Sequence, residues 1–382
     1  MSKRWNVTPA SAKLRALFVN ELNILPLTAQ LLINRGIDEL EDAQNFLRPD
    51  ITKLHDPMLM KDMDKAVERL ERAIAEGEKV AVCGDYDVDG TTATALLKLF
   101  LTELGLTVLT HIPERISEGY GLNNNALKKL SEQGVKVVIT TDCGVSNYDE
   151  TKYANSIGLD VIITDHHEVP ENIPQALAIV NPRQVGCAFP FKGLAGVGVA
   201  FNLAMALRAH LKKTGHINEA TQPNLKKYLD FVSIGTVADM VPLVDENRIF
   251  VKYGIEQLNN TERPGIKALI DVSLIRDGLV TSEKISYQIA PRINAAGRVS
   301  RADIALDLLT TTDKARATEL ASQLDNINSE RRFLEADITE EALAMIDPDS
   351  TDKGIVLYSE NWHPGVIGIV ASKISGRFTK PT

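Results

Sequence analysis

Between residues 64 and 182 the apolar positions switch back and forth between two periods. DKAVERLERAIAEG repeats its apolar residues every three or four positions, which predicts an amphipathic helix, and KVAVC is a short apolar run that predicts a buried strand. TTATALLKLFLTELG then predicts a helix with a Thr cap and a Gly stop, TVLTHI a strand, NNNALKKLSEQG a helix and KVVITTD a strand. SNYDETKYANSIG predicts a helix, DVIITD a strand and ALAIVNP a last strand. This alternation predicts an α/β fold, a doubly wound and mainly parallel sheet with helices on both faces. Ligands of such sheets bind outside the carboxyl ends of the strands.

Outside this region the pattern is helical. Residues 1–60 read as a Pro-interrupted helical lead-in, and residues 61–312 as the α/β unit with a helical C-terminal part that includes YLDFVSIGTVADMVPL. Residues 313–346, KARATELASQLDNINSERRFLEADITEEALAMI and its flanks, predict one long polar helix connecting domains. KGIVLYSE then starts a new strand pattern, so residues 347–382 are expected to open a smaller α/β domain. So few residues are thin for a domain, and a domain cut short at its C-terminal side is expected.

Composition narrows the class. In 382 residues, 44% hydrophobic and 24% charged content with scarce aromatics describe an ordinary globular protein. The start lacks the apolar core of a signal peptide, and the longest greasy stretch, LAGVGVAFNLAMALRAHL, is broken by Asn202 and Arg208, so a cytoplasmic protein with no membrane partner is expected. Cys83, Cys143 and Cys187 are widely spaced and form no C-x-x-C pair, which argues against disulfides and thiolate zinc sites. A net charge of -9 argues against coating nucleic acid by bulk attraction and directs attention to local Arg clusters.

Acidic residues gather at the predicted strand ends. KVAVC leads into Asp85, Asp87 and Asp89, KVVITT into Asp142, and DVIIT into Asp165, His166 and His167. One Asp after a strand is commonly a cap or turn former. Three such ends in one sheet converge on its carboxyl edge, where the carboxylates would repel unless a cation neutralised them. Oxygen and imidazole ligands without thiolate suit Mn²⁺ or Mg²⁺, with zinc left open by ligand type alone. Two ions bridged by one carboxylate, about 3.5–4 Å apart, are the usual arrangement for activating water in phosphoester hydrolysis.

GDYDVDG, TTDCG, TDHH and GTVADMVPL resemble motifs I to IV of the DHH phosphoesterase superfamily. RINAAGRVSRADIALDLL and HPGVIGIVAS resemble further segments of its bacterial single-strand-specific 5′ to 3′ DNA exonucleases, and the resemblance runs from about residue 50 to the end. It implies that Asp87, Asp89, Asp142, His166 and Asp239 bind a metal pair, with Asp142 the bridge and Asp85 a further contributor. It also implies that His167 touches the reacting phosphate or assists the leaving group, and that Asp165 orients a histidine. Many members carry a His four residues before the first Asp of the D-x-D pair, where this chain has Cys83.

Four stretches are candidates for holding nucleic acid. IPERISEGYGL places Arg115 and Tyr120 past the second strand end, where a guanidinium could hold phosphate and a ring could stack on a base. APRINAAGRVSRAD groups Arg292, Arg298 and Arg301 around Asn294 and Gly297, and NINSERR puts Arg331 and Arg332 on the long helix. His363 lies in NWHPGVIGIVAS, which resembles the opening of the DHHA1 domain that closes over substrate in this superfamily. GLAGVGVAF fits no nucleotide-binding glycine loop and is read as close helix packing.

The resemblance thus implies a metal-dependent exonuclease of DNA repair and recombination, which degrades single-stranded DNA to mononucleotides. It implies a monomer supplied with substrate by single-strand-binding protein and a helicase. The alternatives are a DHH phosphatase or oligoribonuclease acting on short oligonucleotides or phosphorylated nucleotides, and a non-catalytic DNA-binding scaffold. Chain length, the NAAGR segment and the long helix favour the first, and retention of every placed metal ligand disfavours the scaffold.

Overall fold

Five parallel strands, β1 (Lys79–Gly84), β2 (Thr107–His111), β3 (Val135–Thr141), β4 (Asp160–Thr164) and β5 (Ala178–Val180), lie in the order β2-β1-β3-β4-β5. The computed structural model describes residues 11–275, 278–347 and 352–382. Among the described residues the first three helices, α1 (Ala12–Leu22), α2 (Pro26–Asn34) and α3 (Leu40–Leu47), close a small core of their own around Phe18, Leu32 and Ala43.

Helices then alternate with strands as the periodicity predicts: α4 (Met63–Glu76) before β1, α5 (Val88–Glu103) after it, α6 (Asn124–Glu132) and α7 (Tyr148–Ser156) on either side of β3. Consecutive strand residues face opposite sides of a sheet. Val80, Val82, Ile139 and Ile162 enter the larger core, which includes residues of α4 and α5, whereas Ala81, Cys83, Val138 and Ile163 enter a second core with residues of α6 and α7. Burial on both faces is why these strands read as nearly continuous apolar runs. Because β1 is flanked by β2 on one side and β3 on the other, the chain reverses its winding there, and a crevice opens beyond the ends of β1 and β3.

Two expected boundaries move. Helix α5 starts at Val88 rather than at the threonines, because the Asp87 carboxylate caps it by accepting the Gly90 N–H at 3.0 Å. The C-terminal strand pattern forms no strand among the described residues. Val356 and Tyr358 point outward while Ile355 and Leu357 pack inward, so the alternation is there, but a ladder needs a neighbouring strand and among the described residues none lies beside it.

The helical remainder runs α8 (Gly196–Lys213), α9 (Leu229–Ala238), α10 (Asp245–Asn259), α11 (Pro264–Val272), α12 (Ser282–Lys284), α13 (Ala290–Val299), α14 (Asp303–Thr310), α15 (Lys314–Ala344) and α16 (Pro364–Phe378). A π-helical turn, Ile285–Ile289, joins α12 to α13 and takes up the misfit of Pro291, whose ring cannot fit a regular α-helical turn. The long helix α15 serves two cores. Leu320 and Leu324 enter the main one, and Ile338 and Ala342 join Val366, Val370 and Ile374 of α16 in another.

Candidate metal centre

The acids at the strand ends are held by backbone groups from several elements. Asp89, in the first turn of α5, accepts the Gly196 N–H at 2.6 Å and the Val197 N–H at 2.9 Å, both from the N-terminus of α8. Gly196 has to be glycine because a Cβ there would lie 2.7 Å from the Asp142 side chain. Asp142, just past β3, adopts a left-handed φ of 61°, uncommon for a residue with a side chain and typical of strained functional positions. Its N–H donates to Thr164 O at 3.0 Å, and Tyr120 donates its hydroxyl to the Asp142 carbonyl at 3.0 Å, so both sides of the strained residue are pinned.

Past β4, one Asp165 oxygen accepts three donors, the N–H groups of His166 at 2.7 Å and His167 at 3.1 Å and the His167 Nδ1 at 2.7 Å, while the other accepts the Val145 N–H at 3.0 Å. A carboxylate accepts at Nδ1 only from a protonated nitrogen, so His167 Nε2 is the atom left for other work. Asp239 follows α9 as its C-cap.

These pieces meet at His166. Its Nε2 lies 3.0 Å from Asp142, 3.7 Å from Asp239 and 3.9 Å from Asp89. Two sets of ligand atoms, Asp89–His166–Asp239 and Asp85–Asp87–Asp142, each fall within a 4.8 Å span, as does Asp142–His166–His167. Asp142 thus stands between the two sides. Asp85 Oδ1, Asp142 Oδ1 and both His166 ring nitrogens are buried without a hydrogen-bond partner among the described residues, which in a protein interior calls for an ion or water.

The charge balance agrees. Burial, and next the charge of Asp87, push Asp85 and Asp89 each up to about 7. Burial, and next Asp89, push Asp239 up to about 7 and Asp142 well above the carboxylate range. Burial lowers His166, keeping its imidazole neutral and suited to a metal, whereas the hydrogen bond to Asp165 raises His167. Asp165 differs from its neighbours. Burial pushes it up, but the bonds from His167 and Val145 bring it below the ordinary value. Oxygen-rich ligands, a neutral imidazole and unpaired buried acceptors fit a pair of hard divalent cations. Cys83 belongs to the core with α6 and α7 residues, its thiol pushed up to about 12 by burial.

Of the residues expected to hold nucleic acid, some sit at the centre and others do not. Arg115 lies 5.2 Å from the Tyr86 ring centroid, and Tyr86 and Tyr120 form an edge-on pair at 6.4 Å that continues to His167 at 6.2 Å. Burial first, then the like charges of Arg115 and Arg331, lowers Arg298, while the charge of Asp87 opposes them. Arg331 bonds Glu335 and Asn328, but its buried Nε has no partner, and Arg332 is exposed. His363 caps α16 by accepting the Gly365 N–H at 3.1 Å, and Arg298 donates to Gly365 O at 3.4 Å.

Three of the candidates already carry bonds within the protein. Arg292 donates to Asp325 at 2.9 Å, Gln288 O at 2.5 Å and Val272 O at 3.0 Å and so bolts α13 to α11 and α15. Asn294 commits its side-chain carbonyl to the Val88 N–H at 3.2 Å, at the start of α5. Arg301 is exposed and paired with Asp303 at 2.5 Å. GLAGVGVAF packs closely as expected, but with a role the sequence reading missed, because its Gly196 and Val197 N–H groups hold Asp89. Tyr86 was missed as well, although its place inside GDYDVDG was a usable signal.

A family model described as DHH family, N-terminal domain, matches residues 79–236. The chain is 43% identical over 380 residues to the single-stranded-DNA-specific exonuclease RecJ of Bacillus subtilis, covering 99% of this chain and 47% of that protein. It is 36% identical over 365 residues to the RecJ of Escherichia coli, covering 93% and 63%. The chain therefore spans about half the length of its Bacillus relative. Among solved structures, RecJ in complex with Mn²⁺ from Thermus thermophilus superposes with a TM-score of 0.82 at 32% identity, covering 97% of this chain and 52% of that one. An exonuclease RecJ bound to manganese superposes at 0.76 with 34% identity, covering 87% and 80%.

Proposed function

The chain belongs to the RecJ family of DHH phosphoesterases, and on that premise we propose that it hydrolyses single-stranded DNA from the 5′ end to mononucleotides with two divalent cations, Mn²⁺ or Mg²⁺. The observation that carries this reading is that Asp142 belongs to two ligand sets, one with Asp85 and Asp87 and one with His166 and His167, while Asp85 Oδ1, Asp142 Oδ1 and both His166 ring nitrogens are buried with no hydrogen-bond partner among the described residues. Asp85, Asp87 and Asp142 would hold one cation, and Asp89, Asp142, His166 and Asp239 the other. Bound there, the cations would activate water and stabilise charge on the leaving oxygen.

The protein's own groups have distinct tasks. Asp165 accepts the His167 Nδ1–H and favours the doubly protonated ring, whose Nε2–H then faces the leaving oxygen. Arg298 and Arg115 balance the phosphate's charge, and Arg331, Arg332 and His363 extend the contact along the strand. Tyr86 and Tyr120 offer ring surface to the terminal base. In the same reading the protein is a cytoplasmic monomer supplied by single-strand-binding protein and a helicase. Among the described residues no helix is long and apolar enough to cross a membrane. The division into lead-in, DHH domain, connecting helix and DHHA1 segment belongs to this proposal too, supported by the separate small cores at the two ends of the chain.

A 5′-labelled single strand, its 3′-labelled twin and a blunt duplex, each with Mn²⁺, with EDTA and with Asp142→Ala, test the reading. Prompt mononucleotide from the 5′ label alone, dependent on metal and on Asp142, is expected. Turnover of di- to pentaribonucleotides without DNA cleavage would replace it with a small-substrate phosphatase, and DNA binding without turnover with a scaffold.

A further inference from the structure

Asp89 and Asp239 reach the metal centre from helical elements rather than strand ends, so their separation depends on how α8 and the α9–α10 connection are fixed. Asp89 relies on the N–H groups that begin α8. Asp239 opens a connection that passes through Met240 at φ 61° and Asp245 at φ 47°. Two residues with side chains in the left-handed region make this connection strained, and such a segment keeps its shape only if its surroundings hold it.

The holding group is Asn247, fully buried in the first turn of α10. Its Nδ2 donates to Gly193 O at 2.6 Å and to Pro242 O at 3.0 Å. The first carbonyl lies just ahead of Gly196 and the second just past Asp239. Its neighbour Glu246, also fully buried, accepts the His55 N–H at 2.7 Å and the Asn202 Nδ2 of α8 at 3.4 Å. Among the described residues Asn247 Oδ1 has no partner. A buried amide with an unpaired acceptor is a poor way to fill space, so what it contributes lies in its two donated bonds.

We propose that Asn247 is a positioning residue that sets the spacing of Asp89 and Asp239 and thereby the cation affinity of the Asp89–His166–Asp239 locus. Asp85 and Asp87 of the other locus follow β1, and Asp142, which the two loci share, is held by its own bonds to Thr164 and Tyr120, so the change falls on the Asp89–His166–Asp239 locus. The inference rests on the two-cation reading above. Groups that orient metal ligands at one remove typically change affinity 10–100-fold when replaced.

Free Mn²⁺ measured by electron paramagnetic resonance during titration of the full chain, wild type against Asn247→Leu and Asn247→Asp, tests this apart from catalysis. Wild type is expected to bind two ions, and the variants to bind one of the two about 10-fold or more weakly with the other unchanged. The exonuclease kcat should recover at high Mn²⁺ with KM for DNA unmoved, which general unfolding would not produce. Asn247→Asp keeps the shape and lacks the donors, so it gives the same readout if Asn247→Leu does not fold. Equal weakening of both ions, or of neither in a folded variant, would overturn the proposal. A wild-type protein that binds no Mn²⁺ would overturn the two-cation reading and this inference with it.

Discussion

His166 Nε2 stands 3.0 Å from Asp142 Oδ1, both buried, without the alignment of a hydrogen bond. Two atoms this close that do not bond each other are aimed at a common third point. The same point gathers carboxylates from α5 and from the end of α9, so the centre stores repulsion that only protons or cations relieve.

Stability without metal should therefore fall as pH rises. Asp85, Asp89 and Asp239 sit at about 7 in the folded state, against about 4 for an unfolded carboxylate. The folded state thus holds more protons between those values. Its advantage is complete below pH 4 and is lost as pH climbs through 7. In EDTA the Tm at pH 8 is expected to lie about 5 °C or more below that at pH 5.5, and saturating Mn²⁺ at pH 8 should restore it. A Tm in EDTA that rises over this interval would contradict the cluster's electrostatics.

Asp165 and His167 form a second coupled pair, joined at 2.7 Å. The hydrogen bond to Asp165 raises His167 above the ordinary imidazole value. Asp165→Asn removes the charge that favours the protonated ring, so the alkaline limb of the kcat profile in Mn²⁺ should move to lower pH by about one unit. His167→Ala should lower kcat by about 10²–10³-fold while Mn²⁺ binding persists. A variant that loses Mn²⁺ in proportion to its activity would make His167 a ligand instead of an acid.

The like charges of Arg115 and Arg331 both act on Arg298, a repulsion that an anion would relieve. Fluorescence anisotropy of a labelled single strand, in an Asp142→Ala background to prevent cleavage, should show weaker binding for Arg115→Ala and for Arg298→Ala. Each should also flatten the plot of log affinity against log salt by about 0.7, the loss of one phosphate contact on a single strand. Arg301→Ala, already paired with Asp303 on the surface, should change neither. Equal slopes for all three variants would remove Arg115 and Arg298 from the DNA path.

What could be read in the sequence was local. The strands announced themselves because both sheet faces are buried, and the ligands because acids at three strand ends have few other reasons to converge. The left-handed backbone of Asp142, the α8 N–H groups on Asp89 and the Asn247 bonds depend on segments distant in sequence that meet only in the fold. Val356 and Tyr358 carry a correct strand alternation that lacks a neighbour to pair with. Arginines were the hardest, since nothing in RINAAGR says which guanidinium turns inward.

Arg292 and Arg298 share α13 and should fail in opposite ways. Arg292→Ala strips Gln288 O and Val272 O of their donor and leaves Asp325 unpaired, so about 2–3 kcal/mol of stability is expected to go. For a chain this size that is a drop of several degrees in Tm, with DNA affinity unchanged in the folded fraction. Arg298 makes one long bond to Gly365 O at 3.4 Å and sits among like charges, so Arg298→Ala should leave Tm nearly unmoved while DNA affinity falls. Thermal melts run beside anisotropy on the two variants separate the roles. The reverse pattern would return Arg292 to the phosphate path and make Arg298 the structural bolt.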